Sequence, residues 1–141
     1  MFSLSVLALT LLFPNSSIAA ERKLETTVLA RSTQDWRGST RERYAEGQPE
    51  VTVARVTIPT DMALSLHEHP FITAVVVLQG VIKVRAESGE THIARAGDAV
   101  VELVNQPHGG ANIGGEDAVI LVVYAGVECE PVTVPATQTA P

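Results

Sequence analysis

Leu64-Ser65-Leu66-His67-Glu68-His69-Pro70-Phe71-Ile72-Thr73-Ala74-Val75-Val76-Val77-Leu78-Gln79-Gly80 brings two histidines, a proline and an unbroken apolar run into one short stretch. Alternate side chains of a β-strand share a face. On a strand, His67 and His69 therefore point the same way and Glu68 the other. Two imidazoles on one face can hold a divalent metal ion. Taken alone, the pair suits ordinary hydrogen-bonded histidines equally well. Pro70 ends the strand, because it has no N–H to give to a ladder. Ala74 to Leu78 then reads as a second, buried strand that stops at Gln79-Gly80.

On the N-terminal side, Val51 to Ile58 alternates. Val51, Val53, Arg55 and Thr57 share one face, and Thr52, Ala54, Val56 and Ile58 the other. Pro59-Thr60-Asp61 is a turn, and Met62 to His69 follows as a strand. On the C-terminal side, Val81 to Ala86 puts Lys83 and Arg85 toward water and Ile82 and Val84 inward. Glu87-Ser88-Gly89-Glu90 turns the chain back into Thr91 to Ala94. After the turn Ala96-Gly97-Asp98 come a strand over Ala99 to Val104 and a loop over Asn105 to Gly110. A long apolar strand over Ala118 to Tyr124 and an edge strand over Val132 to Val134 complete the series. Leu24 to Arg31 reads as a first strand, and Ser32 to Gln48 as a polar loop in which Trp36 is a packing anchor. No helical period occurs after residue 20. Short strands between turn residues, without helices, specify an all-β sandwich or barrel.

The 141 residues suffice for one domain, and 45% apolar with 18% charged residues suits a folded core. The net charge of −6, without a basic cluster, argues against nucleic acid and anionic membrane as partners. Residues 1–20 carry no charged side chain. Their apolar core, Leu4 to Phe13, leads into Ser17-Ile18-Ala19-Ala20, the pattern of a cleaved secretory signal. The segment is too short to span a bilayer, and it lacks the Lys or Arg that usually precedes such a core. The expectation is an exported protein, periplasmic or secreted, free of the membrane after cleavage. Its domain covers residues 21–134 with a core at 51–124, followed by a loose tail at 135–141. Cys129 is the single cysteine, so no internal disulfide forms, and it reads as a thiol near solvent.

Two spaced patterns give the chain a resemblance to the cupins. The family's first motif has the form G-x5-H-x-H-x3–4-E-x6-G and its second the form G-x5-P-x-G-x2-H-x3-N. His67, His69 and Gly80 match the first, with Asp61 at the leading glycine and Thr73 at the glutamate. Gly97, His108 and Asn112 match the second, with Leu103 at the proline and Asn105 at the glycine. The resemblance runs from about Val51 to Tyr124 and implies a single-domain, all-β, cupin-type jelly-roll barrel.

It also implies a site. His67, His69 and His108 stand where cupins carry metal ligands for one divalent ion, such as Fe, Mn, Ni or Zn. The neutral hydroxyl of Thr73 is a poor replacement for glutamate, which leaves a three-histidine site like that of some cupin dioxygenases. Glu102 lies in an otherwise apolar strand. It either faces solvent or reaches inward as a general base or a distant fourth ligand. Gln79, Asn112 and Tyr124 are lesser candidates, with Asn112 suited to tying its loop to backbone, and His92 reads as exposed. Small cupins of this type include dioxygenases, sugar isomerases or epimerases, and lyases. The resemblance thus implies a metal-dependent enzyme acting on a small molecule, or alternatively a non-catalytic module that binds a metal or small ligand. It allows a homodimer paired through edge strands, with Leu24 to Arg31 available for the contact.

Overall fold

The structure is a computed structural model and describes residues 23–40 and 43–136. The expected signal segment, 1–20, and the end of the expected loose tail, 137–141, lie outside the described residues. Nine β-strands and no helices are present among those described: β1 (Pro49–Ile58), β2 (His67–Glu68), β3 (Ile72–Gln79), β4 (Val81–Ala86), β5 (Thr91–Arg95), β6 (Ala99–Val101), β7 (His108–Asn112), β8 (Ala118–Val127) and β9 (Val134–Pro135). They form two antiparallel sheets, ordered β1-β8-β3-β6 and β5-β4-β7-β2-β9. This is the all-β architecture of a jelly roll.

Period-2 patterning explains how the sheets close on each other. In β1 the Thr52, Ala54, Val56 and Ile58 face is the more buried, ending at Ile58, 1% exposed. In β4, Ile82, Val84 and Ala86 are buried. The core joins Ile58, Val75, Val77, Val100, Ile120 and Val122 of one sheet to Ile82, Val84 and Ala94 of the other, with Trp36 packed against it. Each aliphatic side chain buried there contributes about 1.5–3 kcal/mol of transfer free energy. Gly80 carries the chain from one sheet to the other at φ 78°. A Cβ there would meet Ala118 Cα at 3.0 Å and Ala118 Cβ at 3.2 Å, so both conformation and space call for glycine.

Several local expectations are corrected. Leu24 to Arg31 forms no strand, and Leu24 is almost fully exposed. Among the described residues this segment pairs with no strand, and propensity alone does not make a strand. Of Met62 to His69, only His67–Glu68 is a strand, with an isolated bridge from Ala63 to Ala111. Ala74 to Leu78 is buried on one face only. The register shifts between Val77 and Gln79, and Leu78 is left exposed at that irregularity. The Ala99 strand stops at Val101, and the last strand is Val134–Pro135 rather than Val132 to Val134. Asn105 to Gly110 is not all loop, because β7 starts at His108 and pairs with both β4 and β2. Gly109 belongs in that strand because another backbone comes close: a Cβ on it would lie 3.1 Å from the Leu64 carbonyl.

Candidate metal centre

Three strand-level facts bring the histidines together. His67 and His108 are direct partners across the β2–β7 pair, the separation at which side chains on one face touch. His69 follows His67 by two residues and so returns to the same side. The loop before β7 is tied to the end of β2 by the Asn105 N–H, which donates to the His69 carbonyl at 2.9 Å. The ring centroids lie 5.0 Å apart for His67 and His69, 4.8 Å for His67 and His108, and 4.9 Å for His69 and His108. Their candidate ligand atoms all fall within 4.8 Å of one another.

The backbone fixes which nitrogen each ring presents. Nδ1 of His67 lies 2.8 Å from the Ser65 carbonyl, Nδ1 of His108 2.8 Å from the Gln106 carbonyl, and Nδ1 of His69 3.1 Å from the Val132 carbonyl. A carbonyl oxygen only accepts, so each Nδ1 carries the proton and donates it. Each Nε2 then keeps its lone pair, the state in which a neutral imidazole binds metal. Nε2 of His108 is buried without a hydrogen-bond partner. A buried acceptor nitrogen without a hydrogen bond, among three rings in the same tautomer, is what a metal site needs. The three residues fit a divalent ion.

Electrostatics favours the same protonation state. Burial, and after it the neighbouring His108, pushes His69 down to about 4, against the raising effect of its bond to the Val132 carbonyl. Burial first, opposed by the Gln106 carbonyl, holds His108 below its ordinary value. Both rings are therefore neutral at physiological pH without help from a metal.

Glu102 faces inward, correcting the solvent-facing alternative. It is 5% exposed, and its Oε2 lies 3.4 Å from His108 Nε2. Burial pushes its carboxyl up to about 7. With Glu102 raised and His108 lowered, their contact below neutrality is between two uncharged groups and is not an ion pair. Glu102 stands at the edge of the site: the ligand group comprises the three histidines alone. Thr73 is fully buried, and its hydroxyl donates to the Phe71 carbonyl at 3.0 Å. The Glu102 N–H donates to the Thr73 carbonyl at 3.0 Å. The carboxyl missing at residue 73 is thus present on the adjoining segment.

The other candidates separate from the site. Asn112 is buried and braces the backbone: its Nδ2 donates to the carbonyls of Ile58 at 2.9 Å and Glu116 at 2.7 Å, and its Oδ1 accepts from the Gly114 N–H at 2.8 Å. Gln79 is exposed and bonds Glu116 and the Asp117 carbonyl. His92 is half-buried rather than exposed, with its ring centroid 5.9 Å from that of Trp36. Tyr124 does reach the site, 5.3 Å from His69 between ring centroids. The exposed Cys129 takes no part. Thr133 is a residue the sequence did not single out. Its Oγ1 lies 3.2 Å from His69 Nδ1, and no local pattern marks a threonine 64 residues from its partner. The histidines, Glu102 and Tyr124 open onto a cavity of about 350 Å³ whose remaining wall is largely aliphatic.

The cupin domain model matches residues 54–124. The chain belongs to the cupin family. Cupin relatives of known structure share its fold at low identity. A cupin-like protein from Thermotoga maritima aligns with a TM-score of 0.56 at 19% identity, over 64% of this chain and 67% of that one. A DMSP lyase from Ruegeria pomeroyi aligns at 0.55 and 20% identity, over 64% of this chain and 45% of the lyase. An oxalate decarboxylase from Lactobacillus farciminis aligns at 0.54 and 25% identity, over 64% of this chain and 29% of the decarboxylase. The cupin described here spans less than half of the lyase and under a third of the decarboxylase. No curated protein matches the chain in sequence.

Proposed function

We propose that this protein is an exported, metal-dependent cupin that acts on a small molecule, with His67, His69 and His108 holding one divalent ion. The observation that carries the reading is the common tautomer: three Nδ1–H groups are spent on backbone carbonyls, so three Nε2 lone pairs are left for one ion. Iron, manganese, nickel and zinc all accept imidazole ligands. Held by neutral ligands only, such an ion keeps its full charge and open positions, and supplies Lewis acidity toward a substrate oxygen. Glu102 is the proton-handling group. Its burial and its place beside His108 let it take a proton from a substrate C–H or O–H near neutral pH and return it. The reaction class is dioxygenase-like or isomerase/lyase-like. The fold relatives named above include a lyase and a decarboxylase, which is in keeping with that range.

A homodimer is part of the same reading, and the edge strand β1, where Val51 and Val53 are 67% and 59% exposed, offers a surface for it. The test of function is elemental analysis of protein purified from its own compartment, followed by a turnover screen with and without the metal found. One equivalent of metal and metal-dependent turnover support the reading. One equivalent of metal without turnover of any substrate class favours the binding module instead.

A further inference from the structure

Beyond the ligands, the cavity has a one-sided chemistry. Val75, Ile120 and Val122 from one sheet, and Ile82 and Val84 from the sheet that also carries His67 and His108, supply the aliphatic wall. Among the described residues, no lysine or arginine lines it. The acidic group on the wall is the Glu102 carboxyl. The Thr133 hydroxyl is already engaged with His69 Nδ1. A ligand that enters therefore meets the three histidines, the hydroxyl-bearing Ser65 and Tyr124, and hydrocarbon over most of the rest. The volume, about 350 Å³, is at the small end of ligand sites.

Charge decides what fits. A dianionic chelator such as oxalate can put two oxygens on the ion, but its outer oxygens then lie against valine and isoleucine with no cation to answer them. Burying an ionised group without a partner is among the costliest acts in a protein. A singly charged chelator with a hydrocarbon body has no such leftover charge: its two oxygens meet the ion and its body meets the aliphatic wall. We infer, resting on the three-histidine reading above, that the cavity is built for small, mostly apolar oxygen chelators bearing at most one negative charge, and that it discriminates against dicarboxylate dianions. The inference separates this chain from the oxalate decarboxylase that shares its fold.

The test uses the full protein loaded with Co(II), whose visible spectrum reports ligands entering its coordination sphere. Tropolone, a singly charged and otherwise hydrocarbon chelator, and oxalate are titrated in parallel. Each affinity is divided by that ligand's affinity for aqueous Co(II), and metal retention is checked by gel filtration. The expected normalised preference is at least about tenfold for tropolone. Leu64→Arg is the companion variant: Leu64 lines the cavity yet is 36% exposed, so a cation there has access to water. It is expected to raise oxalate affinity about tenfold or more and to leave tropolone little changed. Equal normalised affinities, or no spectral response to either chelator, on protein carrying one equivalent of metal would overturn the inference and leave the metal site standing. Failure of the protein to take up Co(II) at all would overturn the three-histidine reading, and this inference with it.

Discussion

Replacing Glu102 with glutamine tests the inward, desolvated position of its carboxyl. In the unfolded chain the group ionises near 4.5, and in the fold near 7, because burial penalises the charged form. Between those values the folded protein keeps a proton that the unfolded chain has released. The Glu102 contribution to wild-type stability therefore falls as pH rises through that window, and the loss is complete above about pH 7, while the lowered His69 and His108 contribute with the opposite slope. At about 1.36 kcal/mol per pH unit, the interval amounts to about 3 kcal/mol. Glutamine has nearly the same shape and does not titrate. Metal-free Glu102→Gln should thus gain on metal-free wild type by up to about 3 kcal/mol between pH 4.5 and pH 8. Any constant offset from amide packing is the same at both ends, and His108→Ala paired with Glu102→Gln/His108→Ala removes the coupling that the 3.4 Å contact with His108 introduces. Urea unfolding of the two metal-free proteins at pH 4.5, 6 and 8 measures the gap. A divalent ion beside His108 favours the ionised carboxyl, so the gap should narrow when metal is added. A gap that does not change with pH would mean that the Glu102 carboxyl is solvated in both states, and its assignment as the proton-handling group would fall.

Further outcomes follow from the same geometry. His67→Ala, His69→Ala and His108→Ala should each lose most bound metal, while His92→Ala, whose ring lies against Trp36, should lose none, as read by elemental analysis. Because His69 is pushed down to about 4 and His108 is also lowered, protons compete late for these two ligands, and part of the metal should persist below pH 6. Complete release already at pH 6 in equilibrium dialysis would contradict the burial of these rings. Asn112→Leu strands the Ile58 and Glu116 carbonyls and the Gly114 N–H and should cost about 2–4 kcal/mol in denaturant unfolding. Intact-mass measurement of the exported protein should show loss of about twenty residues, and an exported chain of full length would refute the signal reading.

The period-2 runs in β1 and β4 were legible in the sequence because half-buried strands write their faces into alternate residues, and β8 was legible as an unbroken apolar run. His67, His69 and His108 were legible as a set through spacing. Even the two departures from glycine make physical sense. Asp61 and Asn105 stand where cupins carry glycine, and both adopt left-handed backbone, with φ 62° and 51°. Aspartate and asparagine are the residues other than glycine that best tolerate it. The errors share one cause, which is that pairing partners are not written locally. Gly109-Gly110 has the composition of a loop, yet it forms strand because β4 pairs with it and the Leu64 N–H donates to the Gly110 carbonyl. Leu24 to Arg31 has the composition of a strand, yet among the described residues it pairs with none. Glu102 could face either way by sequence alone, and its 5% exposure and its contact with His108 depend on tertiary placement that its own segment does not encode. The orienting carbonyls of Ser65, Gln106 and Val132 were beyond reach, since a backbone acceptor leaves no trace in residue identity.

X-ray absorption at the metal edge of the zinc-loaded protein tests the three-histidine centre most directly. The expected spectrum shows three imidazole nitrogens at about 2.0–2.1 Å, with the remaining positions filled by oxygen, and one imidazole fewer in His108→Ala. A first shell of oxygen with one imidazole or none, or a spectrum unchanged by His108→Ala, would contradict it.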